Sequence, residues 1–164
     1  MPTDAQVYAG SAAIGIAAGM RSMSAPALMS QFARRGTLSL GGSPVGFLNS
    51  TGAASTTAVL AIGELIADKL PFIPARTTTG PLLARAVSGG LSGAILSSAK
   101  KRSAWVGGLI GAFGAVGATF ASYHLRRSVK ETLHLPDAIV AVAEDAAVAA
   151  IGILIASRLR EDAV

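Results

Sequence analysis

The chain runs to 164 residues with no cysteine, 51% hydrophobic residues and only 14% charged ones. Disorder is excluded because it needs low hydrophobicity and high charge, a disulfide scaffold by the cysteine count, and a multidomain enzyme by the length. The net charge of +5 does not indicate nucleic acid, because the basic residues close apolar stretches instead of lining one face among aromatics.

Arg34-Arg35, Lys100-Lys101-Arg102, Arg126-Arg127, Lys130, Arg158 and Arg160 are the residues concerned. Charge placed in this way marks the water interfaces of a membrane protein. Five apolar segments follow in chain order. The first covers Val7 to Met20 and, after a break at Arg21, Ser22, Ser24 and Pro26, continues to Phe32. With Asp4 and no basic n-region before it, this segment is expected to stay as an anchor and not to be cleaved as a signal.

The second segment is Thr51 to Ala67 and the third Leu82 to Ala99. The fourth, Ala104 to Tyr123, alone supplies the ~20 residues a bilayer core needs without an ionisable residue inside. Ala138 to Ala156 is the fifth. The others are short or interrupted, by Arg21, Glu64, Arg85 and the pair Glu144-Asp145. They predict either a compact bundle that hides polar groups or re-entrant segments. Gly36 to Ser50 reads as a loop dipping into the interface, and Leu70 to Pro81, with three prolines, as a rigid turn.

Basic residues in the loops divide seven to five. The larger set, Arg34-Arg35, Lys100 to Arg102, Arg158 and Arg160, predicts a cytoplasmic C-terminus and an external N-terminus.

Nineteen glycines are present, and several fall four apart. Gly15 and Gly19, Gly89 and Gly93, and Gly107 and Gly111 with Gly114 each form a flat face for close helix packing. The fold expected is therefore all-α. It is a single domain over residues 1–164, a polytopic membrane bundle of about five glycine-rich helices.

Glu64 and Asp68 are one helical turn apart, and two such carboxylates need a cation or a proton between them. Lys69, Arg76 and Arg85 are the candidate partners; the alternative is a salt-bridged cap at the interface. Glu144 and Asp145 form a second acidic pair. Within hydrocarbon each charge costs about 2.5–3.5 kcal/mol, so the pair should face the bundle interior or a watery cavity. An interfacial position is the other reading. Neighbours on a helix point about 100° apart, so these two acids should meet different partners. Arg21, Glu64, Asp68, Arg85, Glu144 and Asp145 together carry two more negative than positive charges, leaving room for a bound cation, for protons on two carboxylates, or for Lys69 and Arg76 to join them.

Zinc lacks its ligands, since there is no cysteine and only His124 and His134 as imidazoles. No spacing for magnesium or calcium is present, and no nucleophile or phosphate-loop motif occurs. The expectation is a protein that is not an enzyme and has no metal or cofactor.

Gly63-Glu64-Leu65, Ala67-Asp68-Lys69-Leu70-Pro71, Pro74, Arg76-Thr77, Pro81-Leu82 and Arg85 together resemble a bacterial family catalogued as domain of unknown function 4126. Arg21-Ser22, Pro26-Ala27-Leu28 and Glu144-Asp145 are similar to its pattern too. The resemblance implies a small Gly/Ala-rich integral protein of the bacterial inner membrane and carries no activity with it. A further expectation is an inverted repeat, segments one and two against four and five, with a site at its pseudo-twofold.

Two functions remain open. One is a transporter or channel, as a homo-oligomer, for a cation or proton-coupled solute, with Glu64, Asp68, Glu144 and Asp145 as its polar core and Arg21 and Arg85 as counter-charges. The other is a scaffold or lipid-interacting protein in which the same charges lock the bundle.

Overall fold

The computed structural model describes residues 2–41, 45–67, 78–133 and 137–161. Within them the chain is helical and contains no strand. The helices are α1 (Asp4–Met20), α2 (Ser24–Arg34), α3 (Thr51–Ala67), α4 (Thr79–Ala99), α5 (Ala104–Leu133) and α6 (Asp137–Glu161), with a short 3-10 turn at Gly46–Asn49. Stretches 79–99, 104–132 and 139–161 are long and apolar enough to cross a membrane. α1 and α3, at 17 residues each, reach only about 25 Å at 1.5 Å per residue.

α1 begins at a capping box in which Thr3 and Gln6 satisfy each other's backbone amides. Its residues are apolar on every side, as a buried helix requires, and Ile14, Ala17 and Ala18 are wholly inaccessible. α4 and α5 enclose it. The three backbones meet where Gly15, Gly89 and Gly111 converge. A Cβ built on Gly15 would strike the Gly111 carbonyl, and one on Gly89 would lie 2.7 Å from that same oxygen. Gly19 is seated against the Ala115 carbonyl, Gly93 and Gly107 against each other's backbones, and Gly114 against the Ala12 carbonyl. Without side chains at these positions the backbones approach closely enough for dispersion contact along their length. Hydroxyls stitch the same seam: Ser11 Oγ lies 2.8 Å from Ser97 Oγ and donates to the Gly93 carbonyl at 3.2 Å.

The chain reverses between α1 and α2. Arg21 is extended (φ −142°, ψ 106°) and closes α1 with its amide on the Ala17 carbonyl. α2 then returns beside α1, so Met29 and Phe32 join Leu96, Ile155 and Leu159 in the hydrophobic core. From the predicted Gly36–Ser50 loop, Leu38, Leu40 and Leu48 also enter that core. Leu28 of α2 fits against Gly152 of α6.

Three expectations are corrected by this arrangement. Because α1 and α2 form a hairpin, the N-terminus lies at the basic end, not opposite it; Arg102 binds Asp4 Oδ1 at 2.9 Å and the Pro2 carbonyl at 3.4 Å. Because the starts of α1 and α5 meet there, while Thr119 Oγ1 donates to the Gly19 carbonyl at their far ends, these helices run parallel. The proposed pairing of segments one and two with four and five needs them antiparallel, so that repeat is absent. Finally, α5 does not stop near Tyr123. It continues to Leu133, its exposed end supported by an Arg127–Glu131 pair one turn apart at 2.8 Å.

Candidate functional site: a charged layer at the helix break

The reversal after α1 strands backbone groups in the bundle, since helix ends leave amides and carbonyls without intrahelical partners. Side chains from three other helices supply them. From α3, the Glu64 carboxylate accepts from the Ser22 amide (2.8 Å), the Ser22 hydroxyl (2.7 Å) and the Met23 amide (2.8 Å). It thus caps the N-terminus of α2, where the helix dipole favours an anion. Ser88 of α4 donates its hydroxyl to the Ser22 carbonyl, and Thr119 of α5 reaches the Gly19 carbonyl at 3.1 Å.

Arginines balance the carboxylates. Arg21, only 2% exposed, sends both Nε and Nη2 to Asp145 Oδ1 at 2.8 Å. Arg85 of α4, equally buried, places Nη2 3.9 Å from Glu64 Oε1. On the other side of α6, Glu144 is buried and takes hydrogen bonds from Ser122 and from Arg126 Nε (2.9 Å) and Nη2. The two adjacent acids therefore face different partners, Glu144 toward α5 and Asp145 toward the α1–α2 turn.

Counting along the helices fixes the height of this layer. Arg21 lies 17 residues after Asp4, Glu64 13 after Thr51, Arg85 15 before Lys100, and Asp145 13 before Arg158. At 1.5 Å per residue all four stand about 20–25 Å above the basic end. The uncharged run of α5, Ala104 to Tyr123, spans about 30 Å. The layer thus stands about 5–10 Å short of the far end of that run, with the Glu144–Arg126 pair one step higher.

Of the four carboxylates, the three described ones do not share one site. Glu64, Glu144 and Asp145 each have a different arginine within 4 Å, namely Arg85, Arg126 and Arg21. Arg126 was the missing partner: read as a loop residue, it is helical and turned inward. Ser22, Ser88, Thr119 and Ser122 were missed as well. The signal for Ser122 was its position one helical turn before Arg126; the other three are common residue types that acquire meaning only at the break. Asp68, Lys69, Arg76 and His134 lie outside the described residues. Among the described residues no three His, Asp or Glu side chains gather into a metal site.

Two grooves flank α6. One, of about 440 Å³, runs between α1, α5 and α6 past Gly114, Gly117 and Ala118 to Glu144. The other, of about 250 Å³, lies between α2, α3 and α6. Arg21 and Asp145 head it, Ala27, Leu28, Leu65 and Val148 form its walls, and Gln31 lies toward its lower end. Asp145 is 37% exposed there.

The model of a domain of unknown function, DUF4126, matches residues 9–157, and the chain belongs to that family. Neither the curated proteins nor the solved structures contain a match.

Proposed function

We propose that the chain is a non-enzymatic, multi-pass protein of the bacterial inner membrane that holds a bilayer amphiphile in the groove between α2, α3 and α6. The observation that carries this reading is the pairing of the charged layer. Glu64, Glu144 and Asp145 each lie within 4 Å of a different arginine, so the described carboxylates of the layer are held singly in ion pairs and are not gathered around one metal ion. The Arg21–Asp145 pair meets an apolar groove that opens sideways between helices. Exposed Ile62 and Ile66 on α3, and Val142 and Ile153 on α6, are the lipid-facing surface such a site needs around it. A homo-oligomer belongs to the proposal: Gly90, Ala94 and Gly108 line a third groove, between α4 and α5, whose small residues suit a helix of another copy.

The test is to purify the protein in mild detergent and follow retained lipid by native mass spectrometry, then to reconstitute it and follow Na⁺, K⁺ and H⁺ flux. Stoichiometric lipid retention that survives delipidating washes, with flux at the level of empty liposomes, is expected. The break between α1 and α2 favours one second reading, ion or solute transport, because broken helices house transporter sites. Flux that disappears in Glu144→Gln or Glu64→Gln, at unchanged expression, replaces the amphiphile reading with transport.

A further inference from the structure

Resting on the groove reading above, we infer that the groove selects a lipid whose headgroup is a primary ammonium, and that Asp145 is the group that recognises it. Arg21 is almost fully buried and commits both Nε and Nη2 to Asp145 Oδ1. Asp145 is the half-exposed member of the pair. What the ion pair exposes to the groove is therefore mainly its carboxylate, since Arg21 also lines the groove but is almost fully buried. An anionic headgroup meets repulsion from that carboxylate, and the Arg21 guanidinium beside it is 2% exposed with Nε and Nη2 already on Asp145. A trimethylammonium headgroup brings charge but no N–H, whereas a primary ammonium brings charge and three donors.

Depth favours the same occupant. The walls Ala27, Leu28, Ala61, Leu65, Val148 and Ala149 suit an acyl chain, yet Asp145 lies about 20 Å above the basic end. That is well short of a ~30 Å core. On this side of the molecule the apolar run of α6 between Asp145 and Arg158 is short, and a short hydrophobic face thins the bilayer beside it. Thinning brings a far-leaflet headgroup down to the level of Asp145, with its chain descending the groove toward Gln31.

The experiment is competition in detergent between phosphatidylethanolamine, phosphatidylcholine and phosphatidylglycerol with identical acyl chains, read by native mass spectrometry on the wild type, Asp145→Asn and Ala149→Trp. Ala149→Trp fills the groove and leaves the ion pair intact. A wild-type preference of about tenfold for phosphatidylethanolamine is expected, the worth of one charge-assisted hydrogen bond. Asp145→Asn should erase the preference and Ala149→Trp should lower retention of every lipid. Equal retention of the three headgroups by the wild type, still reduced by Ala149→Trp, overturns the ammonium inference and leaves the groove occupied by lipid without headgroup selection. Retention unaffected by Ala149→Trp overturns the groove reading itself. The wild-type comparison needs no variant, so an Asp145→Asn chain that fails to fold still leaves the inference decided.

Discussion

Replacing Glu64 by Gln keeps the shape of the side chain and removes its charge. In the native structure the carboxylate accepts three hydrogen bonds from the α1–α2 turn. Bonds to a charged group contribute about 1.5–3 kcal/mol each. The amide oxygen of Gln can retain the Ser22 pair, but its NH2 then faces the Met23 amide, so one bond is lost outright and two are weakened. The buried Arg85 also loses its counter-charge, although at 3.9 Å that pair is looser than the capping bonds. Together these losses predict a destabilisation of about 4 kcal/mol. For a protein of this size 1 kcal/mol shifts Tm by about 2–4 °C, so detergent-solubilised Glu64→Gln should melt about 10 °C below the wild type by circular dichroism. A double-mutant cycle separates the two contributions. Ser22→Ala and Glu64→Gln should couple by about 1–2 kcal/mol, more than Arg85→Gln and Glu64→Gln do. A Tm within about 2 °C of the wild type, or stronger coupling to Arg85 than to Ser22, refutes the argument that Glu64 acts as the cap of α2.

Glycine substitutions should divide by location. Gly15→Ala drives a methyl into the Gly111 carbonyl and should cost several kcal/mol or prevent assembly, whereas a Cβ at Gly117 has nothing within 4 Å and Gly117→Ala should leave Tm unchanged or raise it; similar losses for both would contradict the three-helix junction. Exchanging the partners in Glu144→Arg/Arg126→Glu should recover part of the stability that Glu144→Arg alone forfeits, and an additive double variant would disprove the pairing. Single cysteines on this cysteine-free chain test the hairpin. Asp4→Cys and Lys101→Cys should share one pattern of protection from an impermeant thiol reagent in intact cells, with Lys130→Cys showing the opposite one. Labelling of Asp4→Cys and Lys101→Cys from opposite sides would return the N-terminus to the far face.

The helices were legible in the sequence because hydropathy is a property of consecutive residues: α3 occupies the segment read from Thr51 to Ala67, and α4 and α6 differ from theirs mainly at the ends. The turn at Arg21 was legible as a break from its Ser and Pro residues, but not as a reversal. A reversal depends on where α2 finds its core, and Met29 and Phe32 meet Leu96 and Ile155 only in three dimensions. That single ambiguity placed the N-terminus on the wrong side and suggested a repeat that the parallel course of α1 and α5 excludes. At the site, the divergence of Glu144 and Asp145 followed from the 100° step between neighbours on a helix. Arg126 escaped notice because an arginine beyond a 20-residue apolar run looks like an interface residue until the helix is seen to continue and turn it inward. Arg126 supplies one of the two positive charges missing from the sequence count; Asp68, also in that count, lies outside the described residues.

The way α6 is attached leads to a last prediction. Its lower half is held by hydrophobic contact: Ile155 and Leu159 belong to the core, Ile151 and Ala156 pack against it, and Gly152 receives Leu28. Among the described residues of its upper half, Val140 and Val148 are buried, but neither joins that cluster. There the helix stands between two grooves and is tied by Glu144 to Arg126 and Ser122, and by Asp145 to Arg21. Non-directional burial tolerates small displacements, whereas a hydrogen-bonded ion pair is lost within an ångström or two. Removing both charges should therefore free the upper half while the lower half stays docked. Spin labels at Leu125→Cys and Val142→Cys report the upper half, and labels at Leu109→Cys and Leu154→Cys the lower. In Glu144→Gln/Asp145→Asn the upper distance distribution should broaden or split, and the lower one should match the wild type. Equal broadening at both levels would mean that the two acids support the whole helix, and no change at either would mean that packing alone holds it.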